Sequence, residues 1–324
     1  MNRRAFTTLL AGTAAWPLTT RAQQSKNPRL GFLGVDSAAN HAPRLAALRA
    51  GLRDLGWVEG RNIQIEFRWA EGNYGALTAL AEELVRLNVD VLLTHTTAGG
   101  LAARKATSAT PIVLTAVADM LASGLVANLS RPGGNITGLS FFNVELMAKR
   151  LELIKEAIPS LTKAAVLLNP NNASNSFLLT EIDNTSKALS VALQTIEAEQ
   201  PSAFDRAFVS MTEQGVGAVV IHEDPMFAAN ANALAVFAAV KRLPSCGFPE
   251  FARAGGLLGY GVSLPDMAYQ AAAFVDKILK GANPANLPVE RATKFNTIIN
   301  LQTAKALGIT LPTSILLRAD EVIE

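Results

Sequence analysis

Cysteine is almost missing from this chain of 324 residues: Cys246 stands alone, so no disulfide can form within it in any redox compartment. Histidine is nearly as scarce. His41, His95 and His222 have no ligand-spaced partner such as a second histidine four residues away, so each reads as a surface or loop residue and no metal centre is expected. Charge of either sign is not in excess, with 29 basic against 27 acidic residues and no Lys/Arg cluster. That excludes the electrostatic footprint of a nucleic-acid or anionic-membrane binder. Long apolar runs are absent as well: Ala228 to Val240 is interrupted by Asn230 and Asn232, which rules it out as a membrane span. Cofactor and catalytic signatures are missing too. Gly31-Phe32-Leu33-Gly34 lacks the third glycine and early helix of a dinucleotide fingerprint. Arg131-Pro132-Gly133-Gly134-Asn135 has no Lys-Ser/Thr ending of a phosphate loop, and no Gly-x-Ser-x-Gly elbow occurs. No cofactor is expected.

What is present begins at the N-terminus. Arg3 and Arg4 precede Phe6, a weakly apolar run follows, and Thr20-Arg21-Ala22 leads into polar Gln23-Gln24-Ser25-Lys26. A basic region, a short apolar region and a small residue at the exit read as an export signal over residues 1–22, cleaved near Ala22. The paired arginines point to the twin-arginine route. No cysteine lies near the exit, so no lipid anchor is expected there, and the expected address is the periplasm. Without Arg3, Arg4 and Arg21 the basic residues number 26 against 27 acidic ones, a net charge of −1.

The remaining 300 or so residues exceed one ordinary core, so two domains are expected. Apolar residues make up 49% of the chain and charged ones 17%, enough to fill two cores without disulfides. Short apolar runs alternate with helical patterns throughout. Leu30 to Val35 reads as a strand, and Leu45, Leu48, Leu52 and Leu55 mark one face of the helix after it. Ile63, Ile65 and Phe67 alternate with polar residues as in a half-exposed strand. Val89 to Leu93, Ile112 to Leu114, Ala164 to Leu168, Val191 to Leu193 and Ala218 to Ile221 are further strands. Helices are expected between them, including a short one over Ala122 to Leu129 and a long Ala-rich one ending at Arg242. This order implies two doubly wound parallel-sheet lobes joined by a hinge near Asn135 to Phe142. Segments after Gly256 are too few for a third domain and complete the two lobes, with the chain crossing more than once.

In open parallel sheets, ligands bind beyond the carboxyl ends of the strands. The loops there are Asp36-Ser37, Thr94 to Thr97, Ala118 to Met120, Phe141-Phe142, Asn169 to Asn172, His222 to Asp224 and Pro249 to Phe251. Their hydroxyls, amides, carboxylates and aromatics suit a small polar molecule with an apolar portion. Thr94-His95-Thr96-Thr97 stands before a helix and offers either free amides and hydroxyls to a carboxylate or plain helix capping. Of Phe141 and Phe142, at most one is expected to reach a ligand. Cys246, with no base nearby, reads as a buried inert thiol. The rival reading is an exported two-lobed α/β enzyme using the His222-Glu223-Asp224 loop.

Several blocks carry a family resemblance. They include Arg3-Arg4-Ala5-Phe6, Gly56-Trp57-Val58-Glu59-Gly60-Arg61-Asn62, Glu66 to Gly72, Asn128 to Gly138 and Asn169-Pro170-Asn171. At the tail stand Ile278-Leu279-Lys280-Gly281, Leu287-Pro288-Val289-Glu290 and Asn300-Leu301 through Gly308-Ile309. In these the chain resembles periplasmic substrate-binding proteins of ABC transporters, a group related to tryptophan/tyrosine-type binding components. The resemblance implies a type I periplasmic binding protein fold with three hinge crossings. It also implies a monomer that encloses an amino acid or an aromatic or carboxylate-like molecule and delivers it to an inner-membrane ABC permease. A sensor handing its ligand to a membrane receptor would look the same. Lobe 1 would span 28–138 plus about 262–292, and lobe 2 would span 139–261 plus about 293–324. Carried over by position, the ligand contacts are Asp36, Ser37, Thr96, Thr97, Asp119, Phe141, Asn169, Asp224 and Tyr260. Two places depart from the family pattern. His95 and Ala98 stand where relatives often have small residues and glycine, and Ala118-Asp119-Met120 replaces a more usual Asp-Pro-Val.

Overall fold

A computed structural model describes residues 27–324. Arg3, Arg4, Phe6 and Ala22, the residues of the expected export signal, lie outside the described residues. The strands are β1 (Arg29–Gly34), β2 (Gln64–Trp69), β3 (Val91–Thr94), β4 (Ile112–Val117), β5 (Ile136–Ser140), β6 (Lys163–Leu168) and β7 (Ala192–Glu197). Then come β8 (Ala218–Ile221), β9 (Ser245–Gly247), β10 (Leu258–Val262), β11 (Glu290–Arg291), β12 (Phe295–Asn300) and β13 (Glu321–Ile323). The helices are α1 (Ala38–Asp54), α2 (Leu77–Arg86), α3 (Thr96–Ala106), α4 (Asn143–Ala157), α5 (Asn175–Ala188) and α6 (Phe204–Glu213). They continue with α7 (Pro225–Ala229), α8 (Ala231–Val240), α9 (Pro249–Arg253), α10 (Leu264–Leu279), α11 (Leu301–Leu307) and α12 (Thr313–Leu316).

Two sheets result, one per lobe. The first has the order β11-β5-β4-β3-β1-β2 and is parallel throughout. The second has the order β13-β12-β10-β9-β8-β6-β7. Its one antiparallel pairing joins β10 and β12. The reason is topological: β10 leaves the lobe at Val262, and β12 re-enters it at Phe295, the residue opposite, so the two must run in opposite senses.

Strand alternation builds a core on each face of each sheet. Leu30, Phe32, Val91 and Leu93 face α1 and α10, while Leu33, Leu92 and Leu114 face α2 and α3. In the second lobe Ala164, Val166 and Val220 face α4 and α5, whereas Ala165, Leu167 and Val219 face α6 and α8. Helices α1 and α10 lie close, because a Cβ at Gly51 would come within 2.5 Å of the Tyr269 carbonyl. Hydrogen bonds from Tyr269 to Asp54 and from Trp57 to Asp276 fasten the same pair. The chain therefore packs α10 on the first sheet although β10 belongs to the second. Among the described residues no helix is long and apolar enough to cross a membrane. Cys246 is buried in β9, where burial pushes its thiol up to about 12.

Two expected helices differ. Ala122 to Leu129 forms turns and bends, because Gly124 takes a left-handed conformation (φ +67°) that ends the turn whose Leu121 and Ala122 N–H groups Asp119 caps. The Ala-rich helix breaks at Asn230 into α7 and α8, where the Asn230 amide bonds back to the Met226 carbonyl at 2.7 Å and ends α7.

The chain crosses between lobes at Phe141–Asn143, at Ser263 and at residues 292–294. Phe142 takes a left-handed conformation (φ +53°) at the first crossing, and Asn143 N–H bonds to Ala118 O at 3.0 Å. Just upstream, Gly138 (φ +133°) lies so close to β4 that a Cβ would come within 2.1 Å of Leu114 O. Gly138→Ala should therefore cost at least about 2 kcal/mol, whereas Gly134→Ala, with open space around it, should stay within about 0.5 kcal/mol. Denaturant unfolding of both variants checks this, and equal midpoints would contradict the packing described.

Candidate functional site

The carboxyl ends of β1, β3, β4, β5, β6 and β8 all point into the space between the lobes, and their loops enclose one cavity. Its volume is about 60 Å³. From the first lobe come His41, Arg44 and Tyr74, the α3 start at Thr96 and Thr97, and Phe141 at the crossing. From the second lobe come Asn172, Ser174, Glu223 and Asp224.

The first-lobe wall rests on a strained turn. Thr96 has φ +65°, a conformation that costs a β-branched residue of the order of 1–3 kcal/mol. It holds because Thr96 Oγ1 accepts the Gly99 N–H at 3.2 Å, and because Gly99 and Gly100 let α3 lie against Thr94 and Leu125. The adjacent Thr97 hydroxyl lines the cavity, is buried and has no partner among the described residues. A buried hydroxyl without a partner is costly, so it is poised for a bound molecule. The free amides of the first turn of α3 stand beside it, which suits a carboxylate.

Beside this turn sits a polar cluster. His41 Nδ1 lies 2.7 Å from Asp36 Oδ1, and the Val35 N–H donates to His95 Nε2 at 3.0 Å. The rings of His41 and His95 are 4.2 Å apart and join the aromatic layer of Phe32, Phe67 and Trp69. Burial raises Asp36, but the hydrogen bond from His41 and the nearby cationic groups outweigh it and hold it at about 2. Burial pushes both imidazoles below their ordinary value. One atom of each residue lies within 4.8 Å of the others, the spacing of a three-ligand metal site.

In the second lobe Asp224 is the organising carboxylate. It accepts from Met226 N–H (2.9 Å), Asn172 (2.9 Å), Asn169 (3.3 Å) and, across the cleft, the Tyr74 hydroxyl (3.2 Å). Burial nonetheless raises it above the usual carboxylate range. Neighbouring Glu223 pairs with Arg150, which is 0% exposed and also donates to the carbonyls of Tyr260 (2.7 Å) and Ile221 (3.0 Å).

Of the sequence-derived site residues, Thr96, Thr97, Phe141 and Asp224 line the cavity. Asn169 is sealed one layer behind it, on Asp224. Asp36 and Ser37 border a second opening between the lobes, next to Glu71 and Met226. Asp119 and Tyr260 are not brought to the cavity. Asp119 spends its carboxylate on the backbone of Leu121 and Ala122, and Tyr260 stacks on Phe295 at 6.0 Å. Phe142 turns away under Arg291, leaving Phe141 as the aromatic wall. The reading of the histidines as surface residues is corrected: His41, His95 and His222 are 2%, 3% and 0% exposed. Sequence reasoning missed Arg44, Tyr74 and Arg150, whose helical or loop positions carry no local signal.

The family model for ABC transporter substrate binding proteins matches residues 39–323. The chain belongs to this family of ABC transporter substrate-binding proteins. Its two lobes have the fold of type I periplasmic binding proteins, and the family captures small molecules for ABC permeases. The chain is 25% identical over 296 residues to a tyrosine-binding protein of Clostridioides difficile, covering 90% of this chain and 83% of that one. It is similar to a solved conserved domain protein of Vibrio cholerae (28% identical, TM-score 0.86, 92% of this chain and 100% of that one). It shares its fold with a domain from Streptococcus pneumoniae solved in complex with L-Trp (24% identical, TM-score 0.85, the same coverage).

His222 of this substrate-binding protein accepts from Asn143 Nδ2 at 2.5 Å, while its Nδ1 is buried without a partner among the described residues. Burial, then the Arg150 charge, lowers it to about 3. Between roughly pH 6.5 and pH 3 the unfolded chain holds a proton there that the folded chain lacks, so stability must fall as pH falls through that window. The pH dependence of unfolding for His222→Gln should be shallower by about one proton over pH 6 to 4. Contributions of Asp224 and Glu250, raised by burial, cancel in the comparison. Parallel stability–pH curves would contradict the neutral buried state.

Proposed function

We propose that this protein is exported by its first 22 residues through the twin-arginine route and works as a soluble periplasmic monomer. There it captures an amino acid or a related aromatic or carboxylate-like molecule and delivers it to an inner-membrane ABC permease. The observation that carries this reading is the cavity enclosed between the lobes, with the partnerless Thr97 hydroxyl facing it and the Tyr74–Asp224 hydrogen bond closing it. The moving bodies are the two lobes expected at 28–138 with about 262–292 and 139–261 with about 293–324, with the first boundary moved past β5 to Phe141–Asn143 and the second past β10 to Ser263. Contacts of the ligand with both bodies favour the closed form, whose surface the permease recognises. The ligand class is supported by the tyrosine-binding relative and by the neighbour holding L-Trp.

No chemical step and no nucleic acid enter this reading. The rival enzyme would use His222 as its base, yet His222 is sealed and does not line the cavity, and its depressed basicity makes it a weak proton acceptor at neutral pH. Glu223 is spent on Arg150, and Asp224 on four donors. One experiment tests both the address and the cargo: mass spectrometry of protein released by osmotic shock, first intact under native conditions and then denatured. The expected result is a chain starting after Ala22 that releases one small molecule. A chain retaining Met1, or one recovered only from the cytosol with no bound molecule, would overturn the reading.

A further inference from the structure

We propose that His41 and His95 form a paired acceptor and donor that selects ligands bearing a hydroxyl on an apolar body, as in a hydroxyphenyl group. This rests on the reading of the interlobe cavity as the ligand site. The tautomers follow from the partners. The Val35 N–H can only donate, so the nitrogen it meets, His95 Nε2, carries the lone pair and His95 Nδ1 carries the proton. Asp36 is ionised and can only accept, so His41 Nδ1 carries the proton and His41 Nε2 keeps its lone pair. The two remaining nitrogens, one donor and one acceptor, have no partner among the described residues, and both rings line the cavity.

A hydroxyl oxygen can accept from His95 and donate to His41 at once. A carboxylate would satisfy His95 and attract Arg44 but set an anion against the His41 lone pair, and an ammonium would satisfy only His41. A bare hydrocarbon edge would leave both without partners as the lobes close. Ala98, Ala116, Ala118, Phe141 and Leu264 make much of this wall apolar, with Arg44 and Thr115 its further polar members, so the hydroxyl sits on a hydrocarbon body. The metal reading of the same cluster fares worse. A metal at His95 Nε2 would displace the Val35 N–H and leave it buried and unpaired, while His95 Nδ1 is protonated.

Calorimetric titration of ligand-stripped protein tests this with two matched pairs: L-tyrosine against L-phenylalanine, and 4-hydroxybenzoate against benzoate. In at least one pair both members bind, and the hydroxylated member binds more tightly by about tenfold or more. His95→Phe and, as a more polar second variant, His95→Gln shrink that preference to within about threefold, with folding checked by thermal melting. Equal affinity within the pairs, or no binding of all four, overturns the selection. Binding of some other molecule, released from the native protein, would leave the cleft reading standing while this inference fails. Saturable Zn²⁺ binding that competes with L-tyrosine also overturns it.

Discussion

A guanidinium sealed inside the second lobe is the constraint on which the cleft depends. Arg150 is 0% exposed, and a charge in that position persists only when paired and fully hydrogen-bonded. Its fork takes the Glu223 carboxylate and the carbonyls of Ile221 and Tyr260, which ties α4 to the end of β8 and the middle of β10 at one point. Lysine, with a single point of charge, would not span those three directions. Removing either partner of such a pair costs of the order of 3–5 kcal/mol, because the other is left buried and bare. Gly261 belongs to the same arrangement, since a Cβ there would press on the guanidinium at 3.1 Å.

From that fixed point the wall of the second lobe follows. With Glu223 held back by Arg150, the next residue, Asp224, sits at the start of α7 with its oxygens turned to Asn169, Asn172 and the Met226 N–H. Its fourth donor, Tyr74, comes from the opposite lobe, so one carboxylate is at once a helix cap, a loop anchor and a closing contact. The first lobe answers with a strained Thr96, a partnerless Thr97 hydroxyl, two imidazoles kept uncharged by burial and, beside them, the Arg44 guanidinium. Charges at the cavity are thus mostly spent inside the protein, and what faces the space is hydrogen-bonding groups on an apolar wall. That composition suits the ordering of a small molecule by hydrogen bonds and apolar contact.

Much of this was legible from the residues. Apolar runs such as Ala164 to Leu168 and Ala218 to Ile221 could only be buried parallel strands, and the leucine face at Leu45, Leu48 and Leu52 could only pack on a sheet. Once the strands were placed, their carboxyl ends named the loops of Thr96, Thr97, Phe141 and Asp224. What local pattern could not show is which side chains turn inward. Asp119 and Tyr260 stand in the right loop and strand, but backbone capping and a stack on Phe295 take them elsewhere. Tyr74 and Arg150 reach the site from positions 150 and 73 residues away from their partners Asp224 and Glu223. His41 and His95 were misjudged for the same reason: their burial comes from an aromatic layer assembled from β1, β2 and α1, which no short window contains.

The central claim is that the two lobes close on a ligand, with Tyr74 and Asp224 meeting as they do so. Small-angle scattering tests it most directly. Protein stripped of bound molecules by partial unfolding and refolding is measured before and after the recovered small-molecule fraction is added back. The expected result is a larger radius of gyration in the stripped state and contraction on addition, with a weaker contraction at the same concentration for Tyr74→Phe. An identical radius in both states, at saturating recovered ligand, would contradict the claim.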